Sequence, residues 1–287
     1  MINVLITGCN GQLGSEMSHI SKNHPEIKFF FKGRSLDISD SYKVESYMKE
    51  NKINFIINTA AYTNVNNAEV EKEKADKTNE FGVKNLVELC EKYNCKLIHF
   101  STDYVYFGKS ITPLDEKSLT NPQNYYGISK RKGEKYIENS SSESIIIRTS
   151  WLYSKYGDNF VNTILKKIDN REKICVVNDQ FGCPTNAVDL ASDTFKIIKS
   201  KMRLDKHGKI YNYSNLGYTT WSNFAKKIIE FIKVKYHVHE VSTNDLESKV
   251  IRPRYSITDK NKIIKTFNLK IPFWENSLKT YLTNFRS

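Results

Sequence analysis

The sequence predicts an α/β protein, a doubly wound parallel sheet with a smaller C-terminal lobe partly interleaved with it. Three observations predict it. Short apolar runs alternate with amphipathic stretches as far as about residue 150. A glycine-rich turn follows the first apolar run directly, and residues suited to chemistry (Gly8, Ala61, Thr102, Trp151) fall just after runs. Alternating strands and helices imply βαβ units with helices on both faces, and such sheets bind ligands beyond the carboxyl ends of their strands.

In order, Ile2–Thr7 reads as a buried strand, and Gly11 to about Ile20 as a helix opening on the glycine turn. Lys28–Phe31 is a second strand and Asp40 to about Asn51 a second helix. Asn54–Asn58 is a third strand, followed by a long helical stretch through Asn79 to Tyr93. Lys96–Ser101 is a fourth strand, Tyr126 to about Ser140 a helix, and Ser144–Arg148 a fifth strand. Beyond residue 150 the pattern loosens into helices at Phe160–Asp169, Asn186–Ser200 and Trp221–Val234, with short strands at Ile174–Val177 and Ile210–Tyr213. The expected division is a dinucleotide-binding domain at 1–150 and a mainly substrate-binding lobe at 151–287, interleaved with the sheet.

With 39% hydrophobic and 26% charged residues, the 287-residue chain has ordinary globular composition. No apolar run approaches the roughly 18 residues of a membrane span, and the N-terminus has no signal-peptide pattern, so no membrane partner and a cytoplasmic setting are expected. The net charge of +12 comes from lysines spread along the chain, often beside glutamates, which marks a solvated surface and gives no ground for a nucleic-acid partner. Five cysteines form no Cys-x-x-Cys pair, and six histidines show no metal-ligand spacing; reduced thiols and no zinc site follow.

Gly8, Gly11 and Gly14 are spaced three and three after the first strand. Such glycines let backbone approach a pyrophosphate, and the helix that begins there offers free N–H groups to it. After the second strand comes Lys32-Gly33-Arg34, with no acid until Asp37. Two cations there suit a 2′-phosphate, which favours NADPH, with NADH as the alternative. Further on, Tyr126 and Lys130 lie four residues apart and share one helical face. An ammonium beside a phenol is expected to lower the tyrosine pKa towards the working range of a proton donor. Thr102, at the end of the fourth strand, can hydrogen-bond a substrate carbonyl. A hydride-carrier site joined to a proton-donating tyrosine reads as a ketone/alcohol oxidoreductase.

These residues resemble the extended short-chain dehydrogenase/reductases, and more closely their dTDP-4-dehydrorhamnose reductase branch. The segments that carry the resemblance are Gly8–Gly14 with Glu16, Asn58–Thr63, Ser101–Tyr104, Tyr126–Lys130, Arg148–Tyr153, Gly157–Val161, Asp179–Thr185 and Arg252-Pro253, in order along nearly the whole chain. The resemblance implies a Rossmann-like fold and reduction of a nucleotide-linked 4-keto sugar. It implies that Gly11, Gln12 and Leu13 cradle the phosphates, Asp37 and Ile38 flank the adenine, and Ala61, Tyr62 and Thr63 line the cofactor further along. It makes Tyr126 the proton donor, Lys130 its partner, and Thr102, Asp103, Trp151 and Arg252 the substrate contacts. Two departures stand out. Asn66-Asn67 replaces an acid-containing pattern common before Ala68-Glu69. Some relatives bind magnesium at a dimer contact through acids including the one matching Glu16; one carboxylate is too few for a hard cation, so Mg²⁺ stays open, no metal is assigned, and a homodimer is carried as an expectation.

Relatives with other roles share parts of this pattern. A 4,6-dehydratase uses an Asp-Glu pair after the threonine, whereas Asp103 is followed by Tyr104. A 4-epimerase, or a reductase of another nucleotide-linked 4-keto sugar, is separated only by the later segments. A non-catalytic NADP-binding regulatory subunit of the methionine adenosyltransferase type is the alternative outside catalysis.

Overall fold

The computed structural model describes residues 2–108, 110, 112–200, 204, 209–245 and 250–286. Its first half builds β1 (Ile2–Thr7), α1 (Gln12–Ile20), β2 (Ile27–Lys32), α2 (Ser41–Glu50) and β3 (Phe55–Asn58). Then come α3 (Val65–Ala68), α4 (Lys72–Asp76), a π-helical turn (Lys77–Phe81), α5 (Gly82–Tyr93), β4 (Lys96–Thr102), α6 (Tyr125–Glu138) and β5 (Ser144–Thr149). The helical stretch expected through Asn79 to Tyr93 is present and runs on from α4 without a break, but it contains a π turn, a geometry that helical periodicity does not encode.

The second half contributes β6 (Leu152–Tyr153), α7 (Phe160–Asp169), β7 (Ile174–Val177), β8 (Phe181–Gly182), β9 (Thr185–Asn186) and α8 (Ala187–Lys199). It ends with β10 (Lys209–Tyr213), β11 (Thr219–Thr220), α9 (Trp221–Phe231), β12 (Val238–Val241), α10 (Asn261–Phe267) and α11 (Trp274–Arg286). Six strands form one sheet in the order β10-β5-β4-β3-β1-β2, every neighbouring pair parallel. β10 pairs Ile210 with Ile146 and Tyr213 with Thr149, so a strand from the second half completes the sheet. β7 pairs with β12 outside it.

Alternation sends the two sides of each strand into different cores. Val4, Ile6, Phe55, Ile57, Ile98, Phe100, Ile145 and Ile147 pack beneath α1 and α8. Leu5, Ile56, Leu97 and Ile146 pack with Val83, Leu86 and Ile137 beneath α5 and α6. The register matches Thr7 to Asn58 and Asn58 to His99. Neighbouring residues in parallel register face the same way, so these three form a polar rung on the second face. A third core, with Phe224, Ile228, Ile174, Val161 and Leu278, holds the later helices together.

A buried ion pair ties α6 to this sheet. Arg148 on β5 donates to Glu134 on α6 through Nε at 2.8 Å and Nη2 at 2.7 Å. Its guanidinium lies 4.8 Å over the Tyr106 ring, whose hydroxyl donates to Asn212 of β10 at 2.7 Å. Removing Arg148 leaves the fully buried Glu134 with only the longer contact from Arg131, at 3.2 Å. Arg148→Met is expected to lower stability by about 3–5 kcal/mol in urea unfolding, and Arg148→Met with Glu134→Leu to recover most of it. A single variant within about 1 kcal/mol of the parent would show that the pair does not hold α6.

Candidate active site

The site is built where β1, β3, β4 and β5 end. Gly8, directly after β1, has φ +68°, and a Cβ there would lie 2.5 Å from the Ala60 nitrogen. Only glycine gives this turn so close to the end of β3. Gly11 is the N-cap of α1 and makes no side-chain cap, so the first N–H groups of the helix are left for a ligand. These groups open into a cavity of about 1770 Å³. Gly8, Gly11, Gln12, Leu13, Arg34, Asp37 and Ile38 line one end; Ala61, Tyr62 and Thr63 line its middle; Thr102, Asp103, Tyr126, Lys130, Trp151 and Arg252 line the rest. Gly14 lies inside α1, and Lys32 holds its ammonium 4.6 Å over the Tyr47 ring, so of the two cations it is Arg34 that lines the cavity. Asp37 accepts from Ser39 and pairs with Lys77 at 3.0 Å.

The proton-transfer end depends on α6. Asn124 caps this helix by accepting from the Gly127 amide at 2.9 Å, and donates to the Ile251 carbonyl at 2.9 Å, next to Arg252. A Cβ on Gly127 would lie 2.4 Å from the Tyr104 carbonyl oxygen, so α6 presses directly on the turn that follows β4. This contact sets Tyr126 on the cavity wall with Thr102, whose hydroxyl donates to Asp103 at 3.1 Å and accepts from the Tyr104 amide at 3.2 Å. The Tyr126 and Tyr104 rings meet edge to face at 5.7 Å.

One expectation is corrected here. Tyr126 and Lys130 do share the inner face of α6, but Lys130 does not lower the phenol pKa. Burial pushes the Tyr126 phenol above its usual range; a hydrogen bond from Thr102 pulls it down, and Asp103 and Tyr104 raise it again. The ammonium is directed elsewhere, donating to the Phe100 carbonyl at 2.6 Å and lying 3.2 Å from His99 Nε2. Burial lowers Lys130 itself to about 8, although Glu134 opposes that shift. Burial likewise raises Asp103 to about 6, against hydrogen bonds from Ser256 and Thr102. The buried phenol therefore stays protonated over the working range, and Lys130 is the readier of the two to give up a proton.

Several contributors escaped the sequence reading. Asn79, in the π turn, accepts from the Tyr62 amide at 2.9 Å and donates to Ser129 of α6 at 2.9 Å, joining the cavity's middle to the tyrosine helix. Trp221 stacks on Trp151 with centroids 3.5 Å apart and planes within 8°. Trp151 has φ +45°, a conformation aromatic residues rarely adopt, at the corner after β5. Arg252 donates to Asn66 Oδ1 at 3.3 Å, so the asparagine that departs from the common pattern reaches the cavity wall. Glu16 is buried with Oε1 lacking a hydrogen-bond partner. Among the described residues, no group of three or more His, Cys, Asp or Glu side chains could hold a metal ion, and no helix is long and apolar enough to cross a membrane.

Such a sheet, with a phosphate-type glycine turn at one strand end and a threonine, tyrosine and lysine gathered at another, defines an NAD(P)H-dependent oxidoreductase of the extended short-chain dehydrogenase/reductase class. The chain belongs to the RmlD substrate binding domain family, whose model matches residues 2–287. It is 34% identical over 291 residues to dTDP-4-dehydrorhamnose reductase of Aggregatibacter actinomycetemcomitans, covering 97% of this chain and 98% of that one. It is 33% identical over 282 residues to a spore coat polysaccharide biosynthesis protein of Bacillus subtilis, covering 98% and 97%. The crystal structure of dTDP-4-dehydrorhamnose reductase from Bacillus anthracis in complex with NADP superposes with a TM-score of 0.92, at 36% identity, covering 99% and 100% of the two chains.

The contact of α6 with the Tyr104 carbonyl carries a prediction. Gly127→Ala is expected to cost about 1–3 kcal/mol in urea unfolding, as overpacking does. A variant as stable as the parent would mean that the two segments are not held against each other.

Proposed function

We propose that the protein reduces the C4 ketone of dTDP-4-dehydro-L-rhamnose to dTDP-L-rhamnose with NADPH. The observation that carries this reading is Thr102 and Tyr126 together on the wall of a cavity large enough for a dinucleotide and a nucleotide sugar. Relatives of that printed name, matched over almost the whole chain, support the sugar. Residues 151–287, with Trp151 and Arg252 beside Thr102 and Asp103, supply most of the substrate lobe in this reading.

The cofactor fits the uncapped N-terminus of α1 and the approach permitted by Gly8. Gln12 and Leu13 would hold its phosphates, Asp37 and Ile38 its adenine end, and Ala61, Tyr62 and Thr63 its middle. Arg34 would meet a 2′-phosphate. NADPH, when bound, supplies the hydride. Thr102 orients the ketone oxygen. Tyr126, still protonated because burial raises its pKa, gives its proton to that oxygen as it becomes an alkoxide. Lys130, an ammonium below about pH 8 on the same face of α6, is the proton reservoir from which Tyr126 is recharged. The chain places no second carboxylate after Asp103, which disfavours dehydration of the sugar.

The direct experiment is NADPH oxidation with a panel of nucleotide-linked 4-keto-6-deoxy sugars, with products identified by NMR. The panel includes dTDP-4-keto-6-deoxy-D-glucose, because a 30% identical protein of Streptomyces niveus is named a reductase of that sugar. Oxidation with none of the ketones would remove the reductase reading and favour a regulatory role. Tyr126→Phe is expected to lower turnover about 10²–10⁴-fold with folding unchanged; near-parental turnover would take Tyr126 out of the reaction. Arg34→Ala is expected to weaken NADPH roughly 10–100-fold while sparing NADH, since it removes a charge-assisted hydrogen bond. Equal weakening of both cofactors would rule out a 2′-phosphate contact.

A further inference from the structure

We propose that His99 is a positioning residue that holds a ring N–H against Lys130 Nζ and acts through that lysine alone. The reasoning begins at a backbone amide. The Ala60 N–H can only donate, and it donates to Asn58 Oδ1 at 3.1 Å. Thr7 Oγ1 donates to the same oxygen at 2.7 Å. With Oδ1 held in this way, the Asn58 Nδ2 group faces His99 Nδ1 at 3.0 Å. An amide NH₂ donates and does not accept, so Nδ1 must accept and carries no proton. Burial and the nearby Lys130 charge hold the ring neutral. Its single proton therefore sits on Nε2, 3.2 Å from Lys130 Nζ.

That contact is asymmetric. A neutral amine can accept from the ring N–H, whereas an ammonium meets it donor to donor. The other Nζ contact, to the Phe100 carbonyl at 2.6 Å, suits both forms. Glu134, one turn along α6, favours the ammonium, but Arg148 and Arg131 already engage it. Asp103 and Tyr104 press on Tyr126 from the turn after β4. His99 is thus the group in contact with Nζ that opposes its positive charge.

The consequence, which rests on the reductase reading above, concerns the proton returned to Tyr126. After Tyr126 protonates the alkoxide, the ammonium of Lys130 gives a proton to the phenolate, and the resulting amine takes one from water. A lysine held only by a carbonyl would release that proton less readily. His99 makes Lys130 a better donor without touching substrate.

Two measurements test this. Long-range ¹H–¹⁵N spectra of the labelled full chain report the His99 tautomer without substrate, the His99 signals being those lost in His99→Gln. The expected form is neutral with the proton on Nε2; a proton on Nδ1 would overturn the proposal. The pH profile of kcat/KM is the second. Its alkaline limb is expected near pH 8 in the parent, where Lys130 loses its proton. In His99→Gln, whose amide can turn its oxygen to the ammonium, the limb should move up by about one pH unit. Asn58→Asp should move it the same way, because a carboxylate accepts from an Nδ1–H, which draws the ring proton to Nδ1 and frees Nε2 to accept. Lower rates at every pH with the limb unmoved in both variants would reduce His99 to a packing role. A parent protein that reduces no ketone would sink the functional reading, while the tautomer would still be read.

Discussion

The close approach of α6 to the turn after β4 is the constraint on which the site depends. Gly127 touches the Tyr104 carbonyl where any side chain would collide, and Asn124 starts the helix at that point. Once α6 is seated, Tyr126 meets Thr102, and Lys130 reaches beneath the sheet end to Phe100 and His99. The Arg148–Glu134 pair fixes the next turn of the same helix to β5. Chemistry and stability therefore draw on one helix, held at three levels.

Beneath that helix the sheet changes character along its strands. The rung below on this face is Leu5, Ile56 and Leu97, all buried and apolar. Two residues further on, register puts Thr7, Asn58 and His99 side by side. Buried polar groups cost free energy unless satisfied, and here each finds its neighbour across the sheet. The row ends at Lys130, whose charge is the expensive member, and burial lowers it to about 8. The parallel register delivers this row to the ligand-binding edge, so the topology and the electrostatics of the site have one origin.

Much of this was legible in sequence because the signals are local. Buried runs such as Val4–Thr7 and Ser144–Arg148, the glycine spacing, and the four-residue step from Tyr126 to Lys130 each depend on a few adjacent residues. What escaped is non-local. The pairing of Ile210 with Ile146 spans more than sixty residues and leaves no mark in either segment. The π turn that aims Asn79 at Tyr62 and Ser129 looks like ordinary helix. The Trp151–Trp221 stack joins residues far apart in sequence within the C-terminal lobe. Helical spacing also says that Tyr126 and Lys130 share a face, but not where the ammonium goes; the Phe100 carbonyl and His99, from another strand, decide that.

Hydride delivered to a ketone carbon, with the proton supplied by Tyr126, is the central claim. It is tested most directly with NADPH deuterated at the transferable C4 position, the nucleotide-linked 4-keto-6-deoxyhexose, and NMR of the product. The account predicts one deuterium on the sugar C4 for each NADPH oxidised, and a single configuration at that carbon. Oxidation without deuterium in the sugar, or an altered sugar with no net NADPH consumed, would contradict it.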